Sequence, residues 1–230
     1  MEYLPKEGLP RAAEEIFLDL KSRILSLDLK PGQKISEHQL CTEYSCSRAA
    51  IRTVISRLVQ LNLAAVYPQR GTFVSYLDTD YIGDLILLRT CVEKEAIFGL
   101  FEYLSAAKRK QLVIKMRHNI ERQLEYKNYT NYEEDFSRLD EEFHDLILHG
   151  LKKQSILKLI EEPMLQVIRW RNFEIPFGHK MPALIDQHLR IFEAVEKGEV
   201  IEAQKALTYH LEQVMALRYT AKEEYPQYFL

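Results

Sequence analysis

Between residues 11 and 27, Ile16, Phe17, Leu20, Ile24 and Leu27 recur every three or four positions, which places them on one face of an α-helix. Lys30-Pro31-Gly32 stops that helix, since proline cannot continue it. Ser36 lies three residues before Gln39, a capping-box start for a short helix reaching about Tyr44. Ser45-Cys46 makes a tight turn, and Ser47 caps a third helix whose Ile51, Val54, Ile55 and Leu58 form one apolar face. After Asn62 the pattern changes. Leu63–Tyr67 and Thr72–Tyr76 are short strand-like runs around Pro68-Gln69-Arg70-Gly71, a hairpin. Three helices followed by a two-stranded wing make a winged helix-turn-helix.

From Asp80 onward the strand signals vanish, and the pattern predicts helices near 80–102, 105–127, 131–150, 154–161, 163–173, 182–197 and 201–222. Ser105, Asn131 with Glu134, Pro163 and Pro182 mark starts, while Gly150 and Gly198 mark ends. Short connections between such helices imply an antiparallel bundle. The expected fold is therefore mainly α, with a winged helix-turn-helix domain at 9–78 and an all-α bundle of six to seven helices at 79–222.

Composition changes this picture little. The chain has 230 residues, 47% of them hydrophobic, enough for buried cores in two modest domains. A net charge of -3 does not mark nucleic-acid binding, although a whole-chain average hides any local basic surface. Cys41, Cys46 and Cys91 form no C-x-x-C pair and read as reduced thiols. No 18-residue apolar run and no signal-type h-region is present, so a soluble, cytoplasmic protein with no membrane contact is expected.

In the third helix Arg48 and Arg52 sit one turn apart near the N-terminal end, away from the apolar stripe. That end of a recognition helix enters the major groove, where arginine contacts guanine bidentately. Ser47 at the cap can donate to a phosphate, and Arg70-Gly71 at the wing tip combines a cation with a residue permitting close backbone approach. A solvated arginine face, or a winged helix that binds proteins, has the same spacing.

The later helices carry a second constellation. Asp140 and His144 are four apart on the side shared by Phe136, Leu139, Phe143 and Ile147. His188 lies in the stripe Leu184, Ile191, Phe192, Val195, and His210 in the stripe Ala203, Ala206, Leu207, Val214, Leu217. A divalent cation held by three imidazoles and a carboxylate would satisfy all four together. Separate hydrogen bonds within the core are the other reading. Arg89, on the stripe Leu85, Leu88, Val92, Ala96, either pairs with Glu93 or clamps an anion. Arg169, Arg171 and Asn172 surround Trp170, and Arg169 is the candidate taken from that cluster.

Pro31-Gly-Gln-Lys-Ile-Ser-Glu, Cys46-Ser-Arg-Ala-Ala-Ile-Arg and Arg70-Gly-Thr-Phe-Val resemble, in order and spacing, the signature of the GntR family of transcription regulators. Ala50, Thr53 and Leu61-Asn-Leu depart from it. Leu88-Arg89-x-x-x-Glu93, Leu139-Asp-Glu-Glu-Phe-His144, Gln187-His188-Leu-Arg-Ile-Phe-Glu-Ala and His210 resemble the FCD ligand-binding domain of the FadR subfamily. The resemblance implies a homodimeric repressor whose Ser47, Arg48, Arg52, Arg70 and Gly71 contact a palindromic operator in double-stranded DNA. It implies a metal, zinc or nickel, on Asp140, His144, His188 and His210. Beside it would lie a pocket for a small effector, a carboxylate, received by Arg89 and Arg169. A metalloenzyme built on the Asp/His centre would need a positioned general base, and none stands out. A regulator sensing a fatty-acyl ligand without metal would leave the four-residue set without a role.

Overall fold

The computed structural model describes residues 11–151 and 155–230; residue 9, where the first domain is expected to open, and residue 154, where a helix is expected to begin, lie outside them. The chain divides into two compact units, one running up to Leu77 and taking in Tyr225–Leu230, the other spanning Asp78–Glu224.

The first unit contains α1 (Arg11–Leu25), β1 (Lys34–Ile35), α2 (Glu37–Glu43), α3 (Arg48–Gln60), β2 (Ala64–Tyr67) and β3 (Gly71–Val74). Ile16, Phe17, Leu20 and Ile24 of α1 meet Ile51, Val54, Ile55 and Leu58 of α3 in a buried core. Helix α1 ends at Leu25, short of the expected residue 27, because Leu27 takes a left-handed conformation with φ 67°. The wing is a three-stranded antiparallel sheet in the order β1-β3-β2. Strand β1, too short for periodicity to reveal, pairs Lys34 with Phe73 and Ile35 with Thr72. The segment Tyr225–Leu230, left outside both expected domains, belongs here. The Leu77 N–H donates to the Tyr228 carbonyl at 2.9 Å, and the Leu230 N–H donates to the Leu77 carbonyl at 3.2 Å.

The second unit is all-helical among its described residues: α4 (Thr79–Glu102), α5 (Ala106–Leu124), α6 (Glu134–Leu148), a 3-10 turn at His149–Leu151, α7 (Ser155–Phe177), α8 (Met181–Lys197), α9 (Val200–Gln213) and α10 (Arg218–Glu224). Asp78 caps α4 by accepting from Asp80 and Tyr81, Ser105 caps α5, and Gly198 ends α8 with φ 79°. Three expectations are corrected. Helix α6 begins at Glu134 rather than 131. The helices expected at 154–161 and 163–173 are one, since α7 runs through Pro163. Proline gives up one helical hydrogen bond, but the apolar anchors Val167, Trp170 and Phe173 that follow hold the helix to its core. The helix expected at 201–222 breaks after Gln213 and resumes at Arg218.

Helix α4 touches the turn after α6 backbone to backbone. A Cβ on Gly150 would lie 2.1 Å from the Ala96 carbonyl oxygen, and one on Gly99 would lie 2.4 Å from the Gly150 oxygen. No helix among the described residues is long and apolar enough to cross a membrane. Because both glycines stand where no Cβ fits, Gly150→Ala is expected to destabilise the helical unit by about 1–3 kcal/mol in urea unfolding. Gly83→Ala, in the same α4 with nothing among the described residues within 4 Å of its Cβ, is expected to stabilise it by roughly 0.5–1 kcal/mol.

Candidate functional site

In the first unit the Ser47 hydroxyl caps α3, accepting from the Ala50 N–H at 3.3 Å. Arg48 is exposed in the first turn of α3. Arg52, 69% exposed, has its Nε 3.1 Å from Glu37 Oε2. Arg57 of the same helix turns the other way. It pairs with Glu14 at 2.5 Å and lies 3.7 Å over the Phe17 ring, fastening α3 to α1. The exposed Arg70 precedes β3 at the wing turn, its guanidinium 5.9 Å from the Tyr67 ring centre. Gly71 follows with φ 107°, a conformation that side chains disfavour. Ser47, Arg48, Arg52, Arg70 and Gly71 thus leave cations at the start of α3 and at the wing turn, two places from which a winged helix reaches a duplex.

In the second unit three helices converge on one buried cluster. Asp140 and His144 come from α6, His188 from α8 and His210 from α9, with relative exposures of 5, 3, 0 and 2%. One ligand atom from each lies within 4.8 Å of all the others. His188 Nε2 is 3.2 Å from Asp140 Oδ1, His144 Nε2 is 3.7 Å from the same oxygen, and His188 Nε2 is 3.3 Å from His210 Nε2. Phe143 stacks on His188 at 4.5 Å between ring centres and gives the cluster an apolar wall.

The outer edges of the rings decide what the inner edges are. His144 Nδ1 faces Glu93 Oε2 at 2.6 Å, His188 Nδ1 faces Gln123 Oε1 at 2.7 Å, and His210 Nδ1 faces Gln187 Oε1 at 3.0 Å. The Gln123 amide cannot turn around freely, because its Nε2 donates to Asn119 Oδ1 at 2.6 Å while Asn119 Nδ2 donates to the Leu139 carbonyl at 3.0 Å. Each Nδ1 therefore carries the proton, and each Nε2 turns a lone pair inward. Among the described residues, Asp140 Oδ1 and His144 Nε2 are buried with no hydrogen-bond partner. Four acceptors face one another with no donor between them. A cation satisfies such a set, and the donor chemistry, three imidazoles and one carboxylate, suits a divalent transition metal.

Electrostatics agree with this arrangement. Burial pushes the His188 imidazole down to about 4, against the opposing pull of Asp140. Burial and the neighbouring His188 and His144 hold His210 well below the usual histidine range. Burial alone raises the Asp140 carboxyl, but His188, Arg171 and His144 together hold it well below the carboxylate range. The site thus keeps the imidazoles of His188 and His210 neutral beside an ionised carboxylate, the protonation state that metal ligation requires. On the far side of Asp140, the Tyr132 hydroxyl donates to Oδ2 and Arg171 Nη2 lies 4.0 Å away.

Comparison with known proteins places this geometry in a family. The profile described as "Bacterial regulatory proteins, gntR family" matches residues 12–74, and that of the "FCD domain" matches residues 84–213. The chain belongs to the GntR family of transcription regulators. An HTH-type transcriptional regulator from an unstable DNA locus of Streptomyces ambofaciens is 30% identical over 200 residues, covering 87% of this chain and 82% of that one. The HTH-type transcriptional repressor RspR of Escherichia coli is 26% identical over 203 residues, covering 87% and 86%. Among solved structures, a GntR transcriptional regulator from Rhodococcus sp. RHA1 superposes with a TM-score of 0.70 at 20% identity, over 92% of this chain and 99% of that one. Escherichia coli McbR/YncC superposes with a TM-score of 0.67 at 17% identity, over the same shares. These two likenesses concern the fold. This GntR regulator carries an FCD effector-binding domain as its helical unit, and it is not an enzyme.

The arginines of the regulator are placed unevenly. Arg89 is bound to Glu93, Nε to Oε1 at 2.5 Å. Arg169 has no exposed surface, donates to Gln166 at 3.0 Å, and is lowered to about 10 by burial. Arg171, which the sequence leaves undistinguished from its neighbours, is the one beside Asp140; it also pairs with the buried Glu174 at 2.8 Å. Of the hydrogen-bond partners of the cluster, Tyr132 and Gln123 lie outside the sequence motifs; Glu93 and Gln187 stand within motifs that the sequence shows, in Arg89-x-x-x-Glu93 and beside His188, without a role behind the histidines being legible there. His38, His118, His149 and His179 are exposed. Replacing the cap, Ser47→Ala, is expected to cost about 0.5–2 kcal/mol in urea unfolding without DNA present, which separates its structural share from any loss of DNA affinity.

Proposed function

We propose that this chain is a homodimeric repressor that binds a palindromic operator through Ser47, Arg48, Arg52, Arg70 and Gly71 and senses a small carboxylate at a metal centre in its FCD domain. Asp140, His144, His188 and His210 hold the metal, zinc or nickel. The observation that carries the reading is the buried set of four inward-facing acceptors, each imidazole fixed from behind by its own oxygen partner. When bound, the metal supplies a Lewis-acidic position at which an effector carboxylate can be received. The chain's own part is to orient the four ligands, exclude water with Phe143, and offer buried guanidinium groups to the anion. Arg171 stands nearest, and Arg89 and Arg169 are the guanidiniums expected from the sequence.

The repressor name of RspR supports repression as the mode. In a dimer, two recognition helices meet half-sites about one helical turn apart. Effector binding then changes operator affinity by a coupling free energy of typically about 1–3 kcal/mol, and relief of repression is the expected sign.

Two measurements test this reading. Elemental analysis of protein reconstituted with zinc is expected to show stoichiometric metal in the parent and loss of it in His188→Ala; an empty parent contradicts the metal centre. In fluorescence anisotropy on a duplex across a salt series, Arg70→Ala is expected to lower the slope of log affinity against log salt by about one. Parent affinity that does not respond to salt would instead indicate a winged helix serving protein contacts.

A further inference from the structure

The three imidazoles are not supported alike. His188 and His210 rest against neutral amide oxygens, of Gln123 and Gln187. His144 alone rests against a carboxylate, that of Glu93, at 2.6 Å, and both groups are buried to within 3% of full enclosure. The two oxygens of Glu93 are divided between two partners: Oε2 accepts from His144, and Oε1 accepts from Arg89 Nε at 2.5 Å. Arg89 and Glu93 are four apart on α4, and the glycine contact between α4 and the turn after α6 brings this pair against the ring of His144.

An ionised carboxylate accepts hydrogen bonds and never donates one, so Glu93 fixes the proton of His144 on Nδ1 and aims Nε2 at the cluster. A carboxylate also makes the imidazole behind it a stronger electron donor than an amide does. A buried carboxylate with a single histidine for company would lack compensating charge, and Arg89 supplies it. The guanidinium also fixes the plane of the carboxylate through the oxygen that His144 does not use.

From this asymmetry we infer that Arg89 and Glu93 are a positioning pair that sets the metal affinity of the site through His144. Arg89 then acts on the metal side of the sensor, as the counterion behind a ligand, in addition to the effector role that the sequence gives it. The inference rests on the reading of the four-residue cluster as a divalent-metal centre.

The test uses the full-length protein, stripped of metal, with zinc alone as the probe. Zinc affinity is measured by competition with a chromophoric chelator for the parent, Glu93→Ala, Glu93→Gln and Arg89→Gln. Glu93→Ala is expected to weaken zinc binding about 10–100-fold. Glu93→Gln, which keeps an acceptor oxygen and removes the charge, is expected to weaken it less, and Arg89→Gln is expected to weaken it too. In proton NMR of the zinc-loaded protein, the His144 Nδ1–H is expected far downfield in the parent, upfield of that in Glu93→Gln, and missing in Glu93→Ala. A purely structural role for Glu93 would not produce that graded shift. Should Glu93→Ala fail to fold, the near-isosteric Glu93→Gln and Arg89→Gln carry the test. Parent-like zinc affinity in both of those overturns this inference while leaving the metal centre intact. A parent that takes up no zinc overturns the metal centre, and this inference with it.

Discussion

Lone pairs that face one another in a dry interior repel, and the helical domain of this regulator is organised around four of them. Asp140 and the Nε2 atoms of His144, His188 and His210 meet inside the bundle, while every Nδ1 is held outward by an oxygen. Such an arrangement is costly unless a positive charge occupies its centre. Its upkeep engages much of the unit. Helix α4 supplies Glu93, α5 supplies Gln123 and the Asn119 that orients it, α6 supplies two ligands, α8 supplies His188 and Gln187, and α9 supplies His210. The close backbone approach at Gly99 and Gly150 lets α4 reach the ring of His144. The fold of the domain and the chemistry of its centre are therefore one problem.

The arginines of α3 and the wing turn divide into one held in the helix packing and three left exposed. Arg57 lies against Phe17 and pairs with Glu14, so it belongs to the α1–α3 packing. Arg48, Arg52 and Arg70 remain exposed, and Arg52 is steadied by Glu37 from the first turn of α2. A surface ion pair of that kind is worth about 0–1 kcal/mol. A phosphate or base edge can therefore compete for Arg52 with little resistance.

Much of this was legible in the sequence because it was written in local periodicity. The face made by Ile51, Val54, Ile55 and Leu58 and the caps at Ser47 and Ser105 are short-range signals, and each is found in place. The four cluster residues were legible for the same reason, since each lies on an apolar stripe of its own helix. What escaped depends on contacts across the chain. Tertiary packing carries α7 through Pro163, where local rules end a helix. Strand β1 exists only because β3 lies beside it, and Tyr225–Leu230 takes its place by pairing with Leu77. The partners behind the histidines come from positions up to 65 residues away in sequence, a distance over which no spacing rule operates. Arg171 and Arg169 are two apart on one helix, and only the position of Asp140 tells them apart.

Everything proposed for the sensor depends on the four inward-facing acceptors sharing one metal ion. X-ray absorption spectroscopy of the zinc-loaded protein tests this most directly, since imidazole rings leave a recognisable multiple-scattering pattern. A shared ion predicts a first shell of nitrogen and oxygen at about 2.0–2.2 Å, with three imidazoles contributing. A shell containing sulfur, or one fitted by a single imidazole and water, would show that zinc binds elsewhere and that Asp140, His144, His188 and His210 serve another purpose.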